Sequence, residues 1–339
     1  MSRCVGGADS VAVNGDSTDD GCDRATFATA GAAGAMNTAN LTHAHARGVA
    51  LILVMWITAL MAILLGSFAL IARTENLEAR HMFDTTSARY AALAGVERAV
   101  FEMRNPNMQT RWVPDGRAYE FPYEGAQVSV EITDESGKID LNVADNSILT
   151  PLLMSVGVDP SRAEALADAI QDWRDADDMP RAHGAEAPQY AQAGLAYAPT
   201  NRMFQTVSEV QQVLGMNYEI FRRIEPAITV YSNSRFPNAA FAPLEALRAI
   251  PGMTDELARQ IIATRQAMPP GTTGALSGLT LPGGAAIMAS GGGSTYSIKS
   301  RATLSNGVST VFDASIRVGG VSNNGRPYTV LRWRDGENG

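Results

Sequence analysis

The chain has 339 residues, a formal net charge of -8, 45% hydrophobic residues and 18% charged residues. This length allows two or three domains with a sizeable core, and the acidic balance argues against nucleic-acid binding. Both cysteines, Cys4 and Cys22, precede the apolar segment described next, which excludes disulfides and thiolate chemistry from everything after it. The four histidines are too few for a histidine-rich metal site.

The first part of the chain has the composition of a leader. Residues 1–35 are small and polar without apolar periodicity, which predicts a disordered segment or a start placed too early. Met36 is the alternative start, and it would open a shorter cytoplasmic leader ending at Arg47 and Gly48. Arg47 places this side in the cytoplasm by the positive-inside tendency.

An uncharged segment follows, from Val49 to Ala72. Its roughly 24 residues correspond to about 36 Å of helix, which is enough to span a bilayer. We therefore predict a transmembrane helix. The alternative is a signal peptide removed near Ser67 to Ala69, although removed signals have shorter apolar regions.

The helical pattern continues through residues 73–104 as an amphipathic extension. Apolar side chains recur near helical spacing as far as Met103, at Ala79, Phe83, Tyr90, Leu93, Ala94, Val96, Val100 and Phe101. Asn105 and Pro106 then end the pattern. A helix continuous from Val49 to Met103 would be about 80 Å long, with its second half against a globular body.

Strand patterns flank a helical region. Gln127 to Thr133 alternates apolar and polar side chains, as expected for a half-buried antiparallel strand. Strand patterns return at Tyr296 to Leu304, Thr310 to Val318 and Tyr328 to Trp333. We assign residues 105–142 and 294–339 to one sheet, residues 143–270 to an inserted helical domain, and residues 271–293 to a glycine-rich linker.

The helical region repeats a helix, glycine turn, helix plan around Gly157, Gly215 and Gly252, which resembles the helix-hairpin-helix unit. Such a glycine can let backbone amides approach a DNA phosphate. However, a DNA-binding hairpin needs basic surroundings, whereas acidic side chains such as Asp255 and Glu256 surround the third turn. We therefore predict that the short helices of this region pack compactly against one another and contact other proteins. We predict no binding of nucleic acid.

Carboxylates cluster after a predicted helix, at Asp172, Asp175, Asp177, Asp178 and Glu186. Such crowding would favour a hard cation, and calcium takes oxygen ligands without histidine or cysteine. The spacing is not that of an EF-hand. The alternative is a solvated loop that pairs with Arg174 and Arg181. Asn201 is a further candidate oxygen ligand.

Several motifs together resemble the pseudopilins of the type II secretion system, specifically the minor pseudopilin protein K family. The resemblance covers residues 47 to about 265 and is carried by Arg47-Gly48 ahead of the apolar helix and by the stretches YAALAGVERAVFEM, DESGKIDLNVAD, ADAIQDWRDADD, GAEAPQY and PTNRMFQTVSEV. It implies cleavage by prepilin peptidase between Gly48 and Val49. It also implies calcium in the helical domain, which the family calls SAM-like.

Leu53 carries one departure from the common pilin pattern. Most pilins and pseudopilins have a glutamate at the fifth residue after the cut, and protein K subunits lack it. In the family that glutamate meets the terminal amine of a neighbouring subunit, because a lone carboxylate in lipid is costly. A subunit at the tip has no neighbour above it. Leu53 could otherwise be one more lipid-facing residue of an ordinary anchor.

The expected fold is therefore α+β: a type IV pilin-like long N-terminal helix and an antiparallel sheet, with an inserted all-helical, SAM-like or helix-hairpin-helix-like domain. The resemblance implies a single-pass bacterial inner-membrane protein with a periplasmic body. It would sit at the pseudopilus tip and initiate or cap assembly during protein export. Its implied partners are the I and J type minor pseudopilins and the major pseudopilin.

No enzyme motif appears in the sequence, since GxSxG and HExxH are both absent. Paired carboxylates could serve glycoside hydrolysis, but clustering in one loop suits a cation better than two arms flanking a sugar. We predict a non-enzymatic protein. The alternative function is a signal-anchored or secreted calcium-binding interaction module without a filament role.

Overall fold

The computed structural model describes residues 46–269, 280, 291–319, 325 and 327–336. The predicted leader therefore lies outside the described residues up to residue 45, as does most of the predicted glycine-rich linker. The described residues divide into two units, the first ending at Phe68 and the second beginning at Ala69.

Seven helices and seven strands are described. The helices are α1 (Ala46–Met103), α2 (Asn146–Ser155), α3 (Pro160–Arg174), α4 (Ala187–Gln192), α5 (Tyr218–Ile224), α6 (Leu244–Arg248) and α7 (Asp255–Ala267). The strands are β1 (Asp115–Tyr123), β2 (Ala126–Asp134), β3 (Ile139–Asp140), β4 (Ile228–Thr229), β5 (Thr295–Leu304), β6 (Ser309–Val318) and β7 (Tyr328–Gly336). Short 3-10 turns lie at Glu135–Gly137, Val207–Gln212 and Glu225–Ala227.

Within the first unit, α1 is uncharged and exposed from Val49 onward. The hydroxyls of Thr58 and Ser67 donate to the backbone carbonyls of Met55 and Leu64, at 3.0 and 2.9 Å. Such bonds satisfy a hydroxyl within the helix itself, as a membrane-spanning helix requires. Among the described residues, α1 is the one helix long and apolar enough to cross a membrane, with a mean hydropathy of 2.7 over its most apolar window.

The second unit contains a five-stranded antiparallel sheet in the order β1-β2-β5-β6-β7. Val128, Val130 and Ile132 of β2 are buried on one face, as their alternation predicted. Strand β1 was missed by the sequence analysis. It is an edge strand with an irregular register between Asp115 and Ala118.

Many of the α1 residues that pack on this sheet are small, beside the buried Val96 and Val100. Ala88, Ala92 and Ala99 are fully buried, and a Cβ added to Gly95 would approach Val128 and Val130 to 2.9 and 3.0 Å. The aromatic residues that we placed in the helical pattern, Phe83, Tyr90 and Phe101, are instead exposed. Small residues bring the helix backbone close to the sheet, so the bulky side chains lie on the opposite face.

Helices α2 to α7 lie between β2 and β5 in the chain and share a second hydrophobic core. Asp145, Asp159, Asn217 and Thr254 cap helix N-termini by accepting bonds from backbone amides. The three turn glycines of the predicted repeat, Gly157, Gly215 and Gly252, all have positive φ, at 89°, 85° and 82°. This conformation ends a helix at little cost only with glycine.

Buried polar contacts join the helical region to the sheet. Glu135, directly after β2, accepts from Lys138 Nζ at 2.6 Å and from Ser297 Oγ of β5 at 2.5 Å. Asp134 accepts from the backbone amides of Ser136 and Gly293, each at 2.8 Å. The two points where the chain leaves and re-enters the sheet are therefore bonded to each other. The fold class, a long N-terminal helix with an antiparallel sheet, is confirmed, whereas the SAM-like assignment stays a prediction.

Candidate functional site

The acidic loop begins on the last turn of α3. Asp172 is fully buried there, beside Ile170 and Trp173, which belong to the core of the helical region. Asp175 caps the helix C-terminus and is half-buried, while Asp177 and Asp178 are exposed. A buried carboxylate needs partners, because an unpaired buried charge is costly.

A cluster of aromatic side chains packs at the end of α3, where this loop begins. The Trp173 ring stacks on Phe204 at a centroid distance of 6.2 Å and contacts Tyr190 at 6.1 Å. The Tyr190 hydroxyl accepts a hydrogen bond from the backbone amide of Leu214 at 2.8 Å. These contacts fix the end of α3 against the chain that follows the loop.

Arg181 supplies the positive charge that Asp172 needs. Its Nη1 atom donates to Asp172 Oδ1 at 2.6 Å and also to Asp175 Oδ2. Its backbone amide donates to Asp172 Oδ2 at 3.1 Å. A Cβ on Gly184 would collide with that same Oδ2 atom, so the loop closes this tightly because residue 184 is glycine.

Arg174, which the alternative interpretation paired with the same carboxylates, lies elsewhere. It donates to the backbone carbonyls of Leu141 and Ala144. Burial lowers the pKa of Arg174, and the neighbouring charge of Arg181 adds to this effect. Of the two arginines in that interpretation, only Arg181 pairs with the acidic loop.

The Glu186 side chain is buried, at 1% exposure, and lies near the ion pair of Asp172 and Arg181. Burial, together with the negative charges of Asp172 and Asp175, raises its pKa from 4.5 to about 7. Its backbone amide donates to Gln189 Oε1 at 3.0 Å, at the start of α4. The carboxyl is therefore held among like charges.

Three buried oxygen atoms at the loop have no hydrogen-bond partner: Asp175 Oδ1, Glu186 Oε1 and Asn201 Oδ1. Asn201 has a positive φ of 49°, and its Nδ2 donates to Asp178 Oδ1 at 2.8 Å. Unpartnered buried oxygens are uncommon in folded proteins and need an explanation.

These donors fit a hard cation such as calcium, which prefers carboxylate and amide oxygens. Even so, within the described part of the chain no three carboxylate, imidazole or thiolate side chains form a group that could already hold a metal ion. Arg181 lies between two of the carboxylates. The structure thus brings Asp172 and Asp175 together at Arg181, with Glu186 nearby, and it bonds Asn201 to the exposed Asp177 and Asp178.

The raised pKa of Glu186 predicts a pH dependence in the absence of divalent cations. The folded carboxyl keeps its proton up to about pH 7 while the unfolded one loses it near 4.5, so the free energy of unfolding should fall as pH rises through this interval. Glu186→Gln should flatten this part of the profile, whereas Glu219→Gln, at an exposed site, should not. Urea unfolding in EDTA from pH 4.5 to 8 measures the free energy of unfolding at each pH. Parallel pH profiles for wild type and Glu186→Gln would contradict the role of Glu186 in this dependence.

The predicted processing residues lie at the start of α1. Gly48 belongs to the helix, and Val49 and Leu53 are exposed side chains in its first turns. Nothing in these positions tests cleavage, which stays a prediction.

The antiparallel sheet and the long N-terminal helix, which is apolar enough to cross a membrane, define the class as a protein of pilin-like fold. The family model described as "Type II secretion system (T2SS), protein K" matches residues 131–233. The type II secretion system protein K of Pectobacterium carotovorum is 27% identical over 205 residues, which cover 54% of this chain and 62% of the relative. That of Pseudomonas aeruginosa is 28% identical over 236 residues, which cover 62% and 71%. The family resemblance to type II secretion system protein K is therefore confirmed.

A solved structure supports the fold. The GspK-GspI-GspJ complex from the enterotoxigenic Escherichia coli type 2 secretion system contains a chain that matches with a TM-score of 0.52 and 16% identity, covering 79% of this chain and 99% of that one. At this identity the match shows the fold alone. The aligned region spans 62% of the length of the Pectobacterium relative.

Proposed function

We propose that this chain is a structural, non-enzymatic minor pseudopilin of a type II secretion system, anchored in the inner membrane with its body in the periplasm. The observation that carries the proposal is α1, Ala46–Met103, whose first part is uncharged and exposed and whose last part packs on a five-stranded sheet. Prepilin peptidase would remove the leader after Gly48. The lack of a carboxylate at Leu53 supports a place at the tip, where it initiates or caps assembly.

Sequencing the N-terminus of the membrane-extracted protein tests the processing step. We expect a start at Val49. A start near Leu70 would instead indicate signal-peptide removal, and an uncut leader would indicate a plain anchor; either result contradicts the proposal and favours a calcium-binding interaction module without a filament role.

An exposed stripe of aromatic side chains on α1 supports the binding of partner subunits along this helix. Phe83, Tyr90 and Phe101 are 71%, 65% and 67% exposed. Their spacings of about two, three and five helical turns place them on one face at 100° per residue. Exposed aromatic side chains aligned in this way suit a protein interface. The proposed partners are the I and J type minor pseudopilins, followed by the major pseudopilin below them.

Co-purification from membranes that contain the I and J type subunits tests this interface. The triple variant Phe83→Ser, Tyr90→Ser, Phe101→Ser should lose most of the captured partner while keeping the wild-type melting temperature. Met82→Ser is the control, because Met82 is equally exposed but lies about 100° away from the stripe. Undiminished capture by the triple variant would remove the stripe from the interface.

We also propose that the acidic loop binds calcium. The ligands would be the unpartnered oxygens of Asp175, Glu186 and Asn201. Asp172 would contribute from its buried position, and the exposed Asp177 and Asp178 would contribute from the surface. The ion would neutralise carboxylates that crowd one another and would thereby hold the end of α3 to α4. Calorimetric titration of the EDTA-treated protein should give calcium heat and raise the melting temperature. The absence of both would contradict the proposal.

A further inference from the structure

Arg181 bridges two of the loop carboxylates, Asp172 and Asp175. One oxygen of Asp172 and one of Asp175 accept from its guanidinium, at 2.6 Å in the case of Asp172. The second oxygen of Asp175 remains buried and unpartnered. Arg181 therefore pairs with one oxygen of Asp175 and leaves the other unpartnered, as one oxygen of Glu186 and one of Asn201 are in the same loop region.

A single guanidinium cannot satisfy this cluster. It brings one positive charge to a loop of five carboxylates, and Glu186 has no ion pair with it in the described structure. A divalent cation held by Asp175 and Glu186 would lie close to the guanidinium. At such distances the repulsion between like charges is strong, so both cannot occupy the cluster without loss.

A route exists for the guanidinium to leave. The Arg181 side chain is 38% exposed and lines an open cavity of about 740 Å³. The carboxylates of Glu164 and Asp168 and the imidazole of His183 line the same cavity. A displaced Arg181 would thus move from one acidic surrounding to another, through solvent.

We propose that Arg181 is a built-in counter-ion that competes with the cation for Asp172 and Asp175. Without the ion, Arg181 pairs with both carboxylates and keeps the loop closed around the buried Asp172. With the ion, the guanidinium moves into the cavity beside Glu164. Arg181 thereby weakens cation binding and holds the loop folded until the cation concentration is high enough. This inference rests on the calcium proposal.

Calcium titration of the full chain in detergent, after EDTA treatment, tests the inference. Arg181→Gln should bind calcium about tenfold more tightly than wild type, because the competing charge is gone. It should also melt at a lower temperature than wild type in EDTA, and calcium should raise its melting temperature by more. Arg222→Gln makes the same charge change at an exposed site of α5 and should leave the affinity within about twofold.

Arg181→Lys provides a second variant if Arg181→Gln does not fold without the ion. A lysine keeps the charge but cannot bridge two carboxylates as a planar guanidinium does, so calcium affinity should rise by a smaller factor. Wild-type affinity or weaker binding in both variants would overturn the competition while leaving the calcium proposal intact. The absence of calcium heat and of any melting shift in wild type and both variants would overturn the calcium proposal itself.

Discussion

Replacing Gly95 by leucine is expected to lower the melting temperature of the protein by roughly 10 °C, equivalent to about 3 kcal/mol. A Cβ at this position would collide with Ser300 Oγ and approach the γ-carbons of Val128 and Val130 to 2.9 and 3.0 Å. The two valines are branched and buried, so they cannot move aside without opening the core between α1 and the sheet.

Thermal unfolding of the full chain in detergent, followed by tryptophan fluorescence, measures the effect. Gly66→Leu is the matched control, because it makes the same change in α1 where nothing lies within 4 Å. We expect Gly66→Leu to melt as wild type does. Equal melting of Gly95→Leu and wild type would mean that α1 does not pack on the sheet at this residue.

The second large effect is expected for Trp173→Ala, at about 4 kcal/mol. Trp173 is buried in the core of the helical region and contacts Phe204 and Tyr190. Its removal leaves a cavity in that core at the end of α3, where Asp172 and Asp175 lie. The variant should therefore lose stability and, if the loop binds calcium as proposed, also bind it more weakly, because the proposed ligands are no longer held in place.

Trp333→Ala serves as the control for this substitution. Trp333 is 37% exposed and contacts Phe312 on the sheet, so its loss should cost less and should leave calcium binding unchanged. Urea unfolding and calcium titration of both variants make the comparison. Similar losses of stability in the two variants, or intact calcium binding in Trp173→Ala, would contradict the supporting role of Trp173.

The sequence predicted those features whose cause is local. The uncharged segment after Gly48 predicted the first half of α1, and alternation predicted β2 with Val128 and Val130 buried. Strand β1 has no such pattern, because its sequence DGRAYEFPY includes a glycine and a proline, which an irregular edge strand tolerates. The short parallel pair of β3 and β4 joins Ile139 to Ile228, and no local pattern indicates so distant a partner.

The acidic loop likewise could be predicted only in part from the sequence. Its carboxylates could be counted in the sequence, but their directions depend on tertiary packing. Asp172 lies inside because α3 presents that face to the core, and Arg174, two residues later, turns towards the carbonyls of Leu141 and Ala144. Helical spacing likewise could not tell which side of α1 would meet the sheet. The answer depended on the small side chains around Gly95.

The position of the helical region within the chain has one further consequence. The chain leaves the sheet after Asp134 of β2, forms the helical region and returns to the sheet at β5. Strands β2 and β5 are direct neighbours, and Asp134 is paired with Tyr296. The two ends of the insertion are therefore about one strand spacing apart, a gap that a short hairpin turn can close. A chain could gain or lose the entire region without changing the order or register of the remaining strands. The five-stranded sheet and its packing on α1 thus do not depend on the helical region for their topology.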